Sequence, residues 1–169
     1  MISGLDVLVA LKLAANRDQK LRQMDIAHSI GVSQSSVHES LKRLYSHRLF
    51  SRSRQTANVL TLHEFLAYGA RYLFSTGQTD RTAIGMPTAW AAAPLDDIIA
   101  YAGEPPVWPS KLGQVAGFVA APIYPTVPFA ASQDPALYEL LALIDGLRFG
   151  RAREINYSRE MLKARLIGA

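Results

Sequence analysis

The sequence predicts a mainly α-helical protein with a small β-wing, a fold of the α+β class. Apolar residues recur with helical spacing in residues 1–75 and again in residues 135–169, and two short strand-like runs follow the third helical pattern. The chain of 169 residues is 49% hydrophobic and 19% charged, which is enough to bury a core. We divide it into an N-terminal domain (1–75), an extended Ala/Pro-rich segment (76–134) and a C-terminal helical hairpin (135–169).

The first two helices are marked by residues that favour helix ends. Ser3 and Asp6 have the spacing of a capping box, which predicts a first helix from about Gly4 to Ala15. A second helix is predicted at about Gln23 to Ile30, and Gly31 is suited to end it because glycine adopts the left-handed conformation at little cost. The inward residues of this second helix are expected to be Met24, Ala27 and Ile30.

A third helix begins after Ser33, whose hydroxyl can accept a hydrogen bond from the amide of Ser35 or Ser36. One apolar stripe with i, i+4, i+7 spacing packs it against the first two helices: Val37, Leu41 and Leu44. Its outer side, mostly near the N-terminal end, carries polar and charged residues: Gln34, Ser35, Ser36, His38, Glu39 and Lys42.

The pattern then changes from helix to strand and back. Two short strands are predicted at Leu49–Arg54 and Asn58–Leu62, on either side of residues 55–57. A fourth helix is predicted at about His63–Phe74. Its apolar members are expected to be Phe65, Leu66, Tyr72 and Leu73.

Residues 76–134 hold eight of the nine prolines, which argues against long helices. A short helix near Leu95–Ala102 is the one helical pattern. The uncharged run Leu112–Gln133 is long enough for a membrane span, but Pro122, Pro125 and Pro128 exclude a helix that could cross a bilayer. We expect a buried strand there, followed by an extended segment.

Two helices are predicted in the C-terminal hairpin, at about Pro135–Leu147 and Arg151–Ile167, with Gly150 near the turn. The first has an apolar stripe wide enough for both a core and a partner: Leu137, Leu140, Leu141, Ile144 and Leu147. Six bases are expected to form a solvated face, or else to bind phosphate or an acidic partner: Arg148, Arg151, Arg153, Arg159, Lys163 and Arg165.

A helix, a tight turn with glycine and a second helix form the architecture of a helix-turn-helix. The N-terminal end of the second helix of such a pair enters the major groove of DNA. There Gln34 can bond adenine through two hydrogen bonds, and Lys42 can reach guanine or a phosphate. Glu39 would repel phosphates, so it either reads cytosine or pairs internally with Lys42 or Arg43.

The charge of the chain, +4 overall, is concentrated in its N-terminal half. Residues 1–76 contain ten Lys and Arg against five Asp and Glu, whereas the remainder contains eight against nine. Such a field attracts nucleic acid. Arg52 and Arg54, with Gln55 at the tip of the strand pair, are suited to contact the DNA backbone or minor groove beside the recognition helix.

The run "QMDIAHSIGVSQSSVHESLKRLYSHRLF" followed by "SRSRQTANVLTL" resembles a winged helix-turn-helix domain of bacterial transcription regulators, the MarR-type regulators among them. The resemblance covers about Met1–Leu62 and implies a recognition helix and a wing. It departs from the family in a short wing that lacks the usual glycine where His47 and Arg48 stand. We assign these residues to DNA binding: Lys20, Arg22, Gln34, Ser35, Ser36, His38, Glu39, Lys42, Arg43, Arg52, Arg54 and Gln55.

These patterns favour a sequence-specific transcriptional regulator that binds double-stranded DNA as a homodimer in the cytoplasm. The alternative is an antitoxin-like autorepressor that also neutralises a partner enzyme through its C-terminal part. Further hypotheses are a protein-interaction module or a vestigial scaffold, and a small-molecule sensor or enzyme that uses the aromatic residues of the middle segment. In the sensor, a pocket would be lined by aromatic residues that otherwise cover a core or bind a partner: Trp90, Tyr101, Trp108, Tyr124 and Phe129.

No catalytic, metal or cofactor site is expected. The absence of cysteine excludes disulfides and thiolate sites, and no phosphate-binding loop, dinucleotide-binding glycine motif, nucleophile elbow or zinc-protease motif is present. The four histidines do not have ligand spacing with carboxylates. Residues after Met1 lack a basic and then apolar leader, so we expect no secretory signal and no membrane association.

Overall fold

A computed structural model describes residues 1–74 and 79–168, so the predicted boundary at residues 75 and 76 lies outside the described residues. Within those ranges the chain forms seven α-helices and five short strands. In chain order they are α1 Gly4–Ala15, α2 Gln23–Ile30, α3 Gln34–Ser46, β1 Phe50–Ser51, β2 Thr56–Ala57, α4 Val59–Leu73, β3 Thr82–Pro87, β4 Pro106–Pro109, β5 Val115–Val119, α5 Val127–Gln133, α6 Pro135–Phe149 and α7 Ala152–Leu166.

The starts of α1 and α3 and the end of α2 have the capping residues that the sequence predicts. Ser3 and Asp6 form the reciprocal capping box of α1, and Gly31 ends α2 in the left-handed conformation with φ of 72°. The hydroxyl of Ser33 accepts the Ser36 amide at 3.1 Å and so caps α3. These three predictions are confirmed, because caps depend on residues only a few positions apart.

The inward face of α2 was predicted wrongly at one position. Met24 is 60% exposed, and Ile26, which is 1% exposed, is buried with Ala27 and Ile30 instead. Both choices satisfy helical spacing in an eight-residue helix. The face that turns inward is decided by the surrounding helices, since α2 packs on α1, α3 and α5.

The strand pair is smaller than predicted and lies earlier in the chain. β1 and β2 have two residues each, paired Phe50 to Ala57 and Ser51 to Thr56. The predicted second strand at 58–62 is instead the first turn of α4. Its stripe of Leu62, Leu66 and Ala70, spaced i, i+4, i+8, is fully buried only as a helix.

The fourth helix also differs from prediction in its apolar members. Leu66 is buried and Phe65 is half-buried, as expected. Tyr72 and Leu73, however, are 78% and 48% exposed. They lie in the last turn of α4 and point away from the buried stripe of that helix.

The middle segment is folded rather than extended. β3 pairs antiparallel with both β4 and β5, and β4 pairs in parallel with β5, so the strand pairings close on themselves. This closure needs small residues, because a β-carbon on Gly85 or Gly117 would overlap the backbone opposite it. The predicted helix near residues 95–102 is a series of turns, and part of the predicted extended tail forms α5.

The C-terminal hairpin of α6 and α7 forms as predicted, with Asp134 and Pro135 at its start and Gly150 at the turn. Every residue of α6 from Leu140 to Arg148 is buried, and the helix contacts α1, α4, α5 and α7. The apolar stripe that was expected to serve both a core and a partner is buried within the core. One hydrophobic core includes residues from all three predicted regions.

A buried charge cluster lies between α6 and the strands. The Asp145 carboxylate accepts hydrogen bonds at 2.7 Å from each of three donors, the Thr88 hydroxyl, the Trp108 indole and the Arg148 guanidinium. Arg148 also donates to the carbonyls of Phe74 and Ala121. Burial raises the pKa of Asp145, while its three donors oppose that rise. The prediction of a solvated Arg148 was wrong, because Asp145 one turn earlier provides its counter-charge.

Across residues 1–74 and 79–168, every helix is too short or too polar to cross a lipid bilayer.

Replacing Asp145 with Asn should destabilise the protein by about 3–5 kcal/mol, because it leaves the buried Arg148 charge uncompensated. Urea unfolding at neutral pH measures the effect. Asp97→Asn, at an exposed carboxylate, is the control and should change the free energy of unfolding by less than about 0.5 kcal/mol. A loss below about 1 kcal/mol for Asp145→Asn would mean that the cluster does not hold a charged pair.

Candidate nucleic-acid interface

The outer face of α3 is polar and open to solvent. Five side chains at i, i+1, i+4, i+5 and i+8 are exposed: Gln34, Ser35, His38, Glu39 and Lys42. Behind them Val37, Leu41 and Leu44 are buried, as their spacing predicts. The apolar side of α3 therefore packs on the rest of the protein, and its polar side is exposed to solvent. Most of the exposed polar residues lie in the N-terminal half of the helix.

The N-terminal end of α3 offers unpaired amides and clustered hydroxyls. The first amides of a helix have no acceptor within it, and the Ser33 hydroxyl satisfies only that of Ser36. The same hydroxyl lies 3.0 Å from the hydroxyl of Ser35 and 2.8 Å from that of Ser36. Because any of these hydroxyls can rotate, the group can donate to an anion placed at the helix end.

Glu39 and Lys42 form an ion pair on the exposed face, with Nζ and Oε1 3.3 Å apart. Of the two sequence-based interpretations of Glu39, the structure therefore shows the internal pairing. Both side chains are more than half exposed, and such a pair contributes at most about 0.5 kcal/mol in water. Lys42 can therefore exchange this partner for a phosphate at little cost.

Arg43 is partly exposed, with its side chain 38% accessible, and it pairs with a buried acid. Its guanidinium forms a bidentate pair with the fully buried carboxylate of Asp6, at 2.8–3.1 Å, and also contacts the Ser40 hydroxyl. This pair joins α3 to the start of α1. The prediction that Arg43 binds DNA did not anticipate this pair, which engages two of its guanidinium nitrogens within the fold.

The Asp6 carboxyl has a shifted pKa as a result. Burial alone would raise it, but the Arg43 guanidinium, the Ser3 amide and the Ser40 hydroxyl outweigh burial and hold it below its ordinary value of 3.8. The charged form of Asp6 is thus favoured by folding. Its contribution to stability is present above pH 3.8 and is lost as the pH falls through the lowered value.

The hairpin places two arginines next to the C-terminal half of α3. The Arg52 guanidinium stacks over the Tyr45 ring, 3.8 Å from its centre, so Tyr45 fixes its direction. Arg54 is exposed, and the Gln55 side chain donates to the Arg52 carbonyl at 2.6 Å. Gln55 has a positive φ of 54°, which forms the tight tip. Gln55 is exposed and also stabilises the tip of the hairpin.

Lys20 and Arg22 are exposed but lie apart from the α3 face. They precede α2, whereas the turn to α3 follows it, and eight helical residues span roughly 12 Å. Arg22 contacts Asp25 at 3.2 Å in solvent.

The structure adds residues that the sequence patterns did not reveal. Arg17 and Arg54 line a shallow cleft of about 300 Å³ beside the hairpin and the start of α4. Arg17 donates to the Leu166 carbonyl, which joins this cleft to the end of α7. Only the excess of basic residues pointed to Arg17, and no local signal marked Tyr45 or Asp6 as supporting residues.

The aromatic residues of the middle segment are divided between core and surface. Trp90 and Tyr101 line a separate open cavity of about 720 Å³ together with Phe118 and Phe149. Trp108 is buried against Asp145, and Tyr124 packs on the core. Phe129 is partly exposed beside Gly31. The five aromatics therefore do not form one pocket.

In the described ranges, 1–74 and 79–168, no group of three or more His, Asp or Glu side chains is placed to hold a metal ion. Comparisons with protein-family models, with curated proteins and with solved structures find no match to this chain. The case for a function therefore depends on the geometry of this face.

Asp6→Asn should lower the free energy of unfolding by about 2 kcal/mol at pH 7, because it removes a charge-assisted hydrogen-bonded pair. The difference from the wild type should shrink as the pH falls from 4 towards 2, since the wild-type carboxyl then takes up a proton. Denaturant unfolding at several pH values measures this. Asp18→Asn, at an exposed acid, is the control. A difference that stays constant across this range would contradict the role of the Asp6–Arg43 pair.

Proposed function

We propose that the protein is a sequence-specific DNA-binding transcriptional regulator of the winged helix-turn-helix kind, acting as a homodimer. The observation that carries the proposal is the exposed polar face of α3, backed by a buried apolar stripe and flanked by a basic hairpin. A helix held in this way can enter a groove without losing its own packing.

The shape of the exposed element supports insertion into the major groove. α3 has 13 residues and is therefore roughly 20 Å long, and the major groove, about 12 Å wide, accepts a helix of this kind. Its N-terminal end is free of large apolar side chains. Gln34 and His38 lie one turn apart there and can meet successive base edges.

Charge supports the same interface. Of the ten bases in the N-terminal half, Lys12 and Arg43 are neutralised inside the fold by Asp134 and Asp6. The bases left near the α3 face are Lys42, Arg48, Arg52 and Arg54, all of which are exposed. Internal pairing thus neutralises two of the ten bases, and these four remain exposed near α3.

The contacts divide into two classes of readout. The hairpin arginines and the amides at the start of α3 are suited to phosphates, which position the protein but carry no sequence information. Gln34, Ser35 and His38 are suited to base edges, and a bidentate Gln–adenine pair contributes about 1–3 kcal/mol of discrimination. Lys42, farther along the helix, can serve either class.

Lys42→Ala and Arg54→Ala should each weaken binding to duplex DNA and reduce the slope of log K against log salt by about one unit, because each loses one phosphate contact. Fluorescence anisotropy with a labelled duplex, at salt concentrations between 50 and about 300 mM, measures both quantities. Lys111→Ala is the matched control, since Lys111 is an exposed base in the turn between β4 and β5. Unchanged slopes in both variants would remove this face from the interface.

Gln34→Ala should lose sequence preference without losing general affinity. We expect its affinity for the duplex selected by the wild-type protein from a random pool to fall about 5- to 100-fold, corresponding to 1–3 kcal/mol. Its affinity for an unrelated duplex should stay within twofold. An equal loss on both duplexes would show that Gln34 contacts the backbone, and no enrichment of any sequence by the wild type would argue against sequence-specific binding.

A further inference from the structure

The fourth helix has an inner and an outer face with opposite surroundings. Leu62, Leu66 and Ala70 are fully buried, and α4 packs through them on α6 and α7. The outer face is exposed and carries Leu60, Glu64, Tyr68, Arg71 and Tyr72. We refer to these five side chains as the α4 strip.

The α4 strip is an exposed helix face that carries three large apolar side chains and two charges. Leu60, Tyr68 and Tyr72 are 63%, 61% and 78% exposed, and the positions 60, 64, 68 and 72 follow each other at one-turn intervals. Single exposed apolar residues are ordinary on a protein surface. Three exposed apolar side chains on one face of a helix, two of them aromatic, are typical of a contact surface.

The two charges cannot satisfy each other within one copy. Glu64 and Arg71 are seven residues apart, which is about 10.5 Å along a helix. Among the described residues neither takes part in an ion pair, and the Arg71 guanidinium lies over the Tyr72 ring at 5.5 Å. Both charged groups are therefore available to a partner.

The spacing of these charges is self-complementary. Glu64 precedes Tyr68 by four residues and Arg71 follows it by three. When two such helices lie antiparallel and cross near Tyr68, Glu64 of each copy faces Arg71 of the other. In a two-fold dimer the same surface of each copy must complement itself. This strip does so, because two Glu64–Arg71 pairs form across one interface.

Tyr68 is held in place before any partner binds. The Arg159 guanidinium stacks on its ring at 4.8 Å from the centre, and Arg159 also donates to the Ala67 carbonyl at 2.9 Å. A side chain that is already ordered loses little conformational entropy on association. A fixed aromatic ring at the centre of the strip is thus suited to pack on its own symmetry mate.

We infer that the α4 strip is the surface through which two copies of this chain form an antiparallel, two-fold homodimer, with Tyr68 at the axis. The pairing itself does not need DNA. Only the role of the dimer rests on the proposed function, because that role is to hold two recognition helices on one operator. Because one helix face forms the contact, we expect a dissociation constant on the order of 10 μM.

Charge reversal tests the antiparallel arrangement directly. In sedimentation velocity runs on the full chain without DNA, Glu64→Arg and Arg71→Glu should each raise the dissociation constant at least tenfold, because like charges then face each other at both ends. An equimolar mixture of these two variants should form a heterodimer, since every facing pair is again opposite in sign. The double variant E64R/R71E should dimerise like the wild type.

A charge reversal on another helix provides the control. Glu160 is exposed on α7, and Glu160→Arg should leave the dimer intact. Circular dichroism of each variant confirms that it is folded. The inference is overturned by a wild-type chain that stays monomeric at 200 μM, on the order of 20 times the expected constant, by a mixture that stays monomeric, or by loss of the dimer in Glu160→Arg instead.

The same samples separate this inference from the proposed function. A chain that dimerises but does not bind duplex DNA would support the α4 interface and contradict the DNA-binding proposal. A monomer that binds DNA through the α3 face would do the reverse. Anisotropy and sedimentation of the wild type therefore give independent answers.

Discussion

The carboxylate of Asp145 is the constraint on which the arrangement of this fold depends. A charge in a buried site is tolerated only when donors surround it, and here Thr88, Trp108 and Arg148 supply them. Arg148 in turn donates to the Phe74 and Ala121 carbonyls, at the end of α4 and after β5. Helix α6, the strand region and α4 must therefore all be in place together. The cluster thus links the proline-rich middle segment to α6 and α4.

Helix α1 is linked to α3 by a buried charge in a similar way. Every residue from Leu5 to Ala14 is buried, and the helix forms an internal ion pair near each end, Asp6 with Arg43 and Lys12 with Asp134. The first pair fixes α3 and the second fixes the start of α6. The proposed DNA-binding face is thus positioned by a rigid helix whose other end belongs to the C-terminal hairpin.

Local features of the fold could be predicted from the sequence, whereas contacts between residues far apart in the chain could not. The capping box at Ser3 and the left-handed Gly31 depend on neighbours within four positions, so they could be read directly. Pairing of Asp6 with Arg43 joins residues far apart in sequence, and Arg43 therefore looked like one more base of the exposed face. The closed strands of the middle segment rely on glycines such as Gly85 at close crossings, which leave no alternating apolar pattern. The exposed part of the candidate site, by contrast, followed from helical periodicity alone.

The burial of α1 has a consequence for synthesis of the chain. Its Lys12 pairs with Asp134, 122 positions farther along the chain, and its apolar sides also pack on α6. Until those residues have been made, part of the buried surface of α1 stays uncovered. We therefore expect nascent chains of this protein to bind holding chaperones, and this core to fold only after α6 has been made.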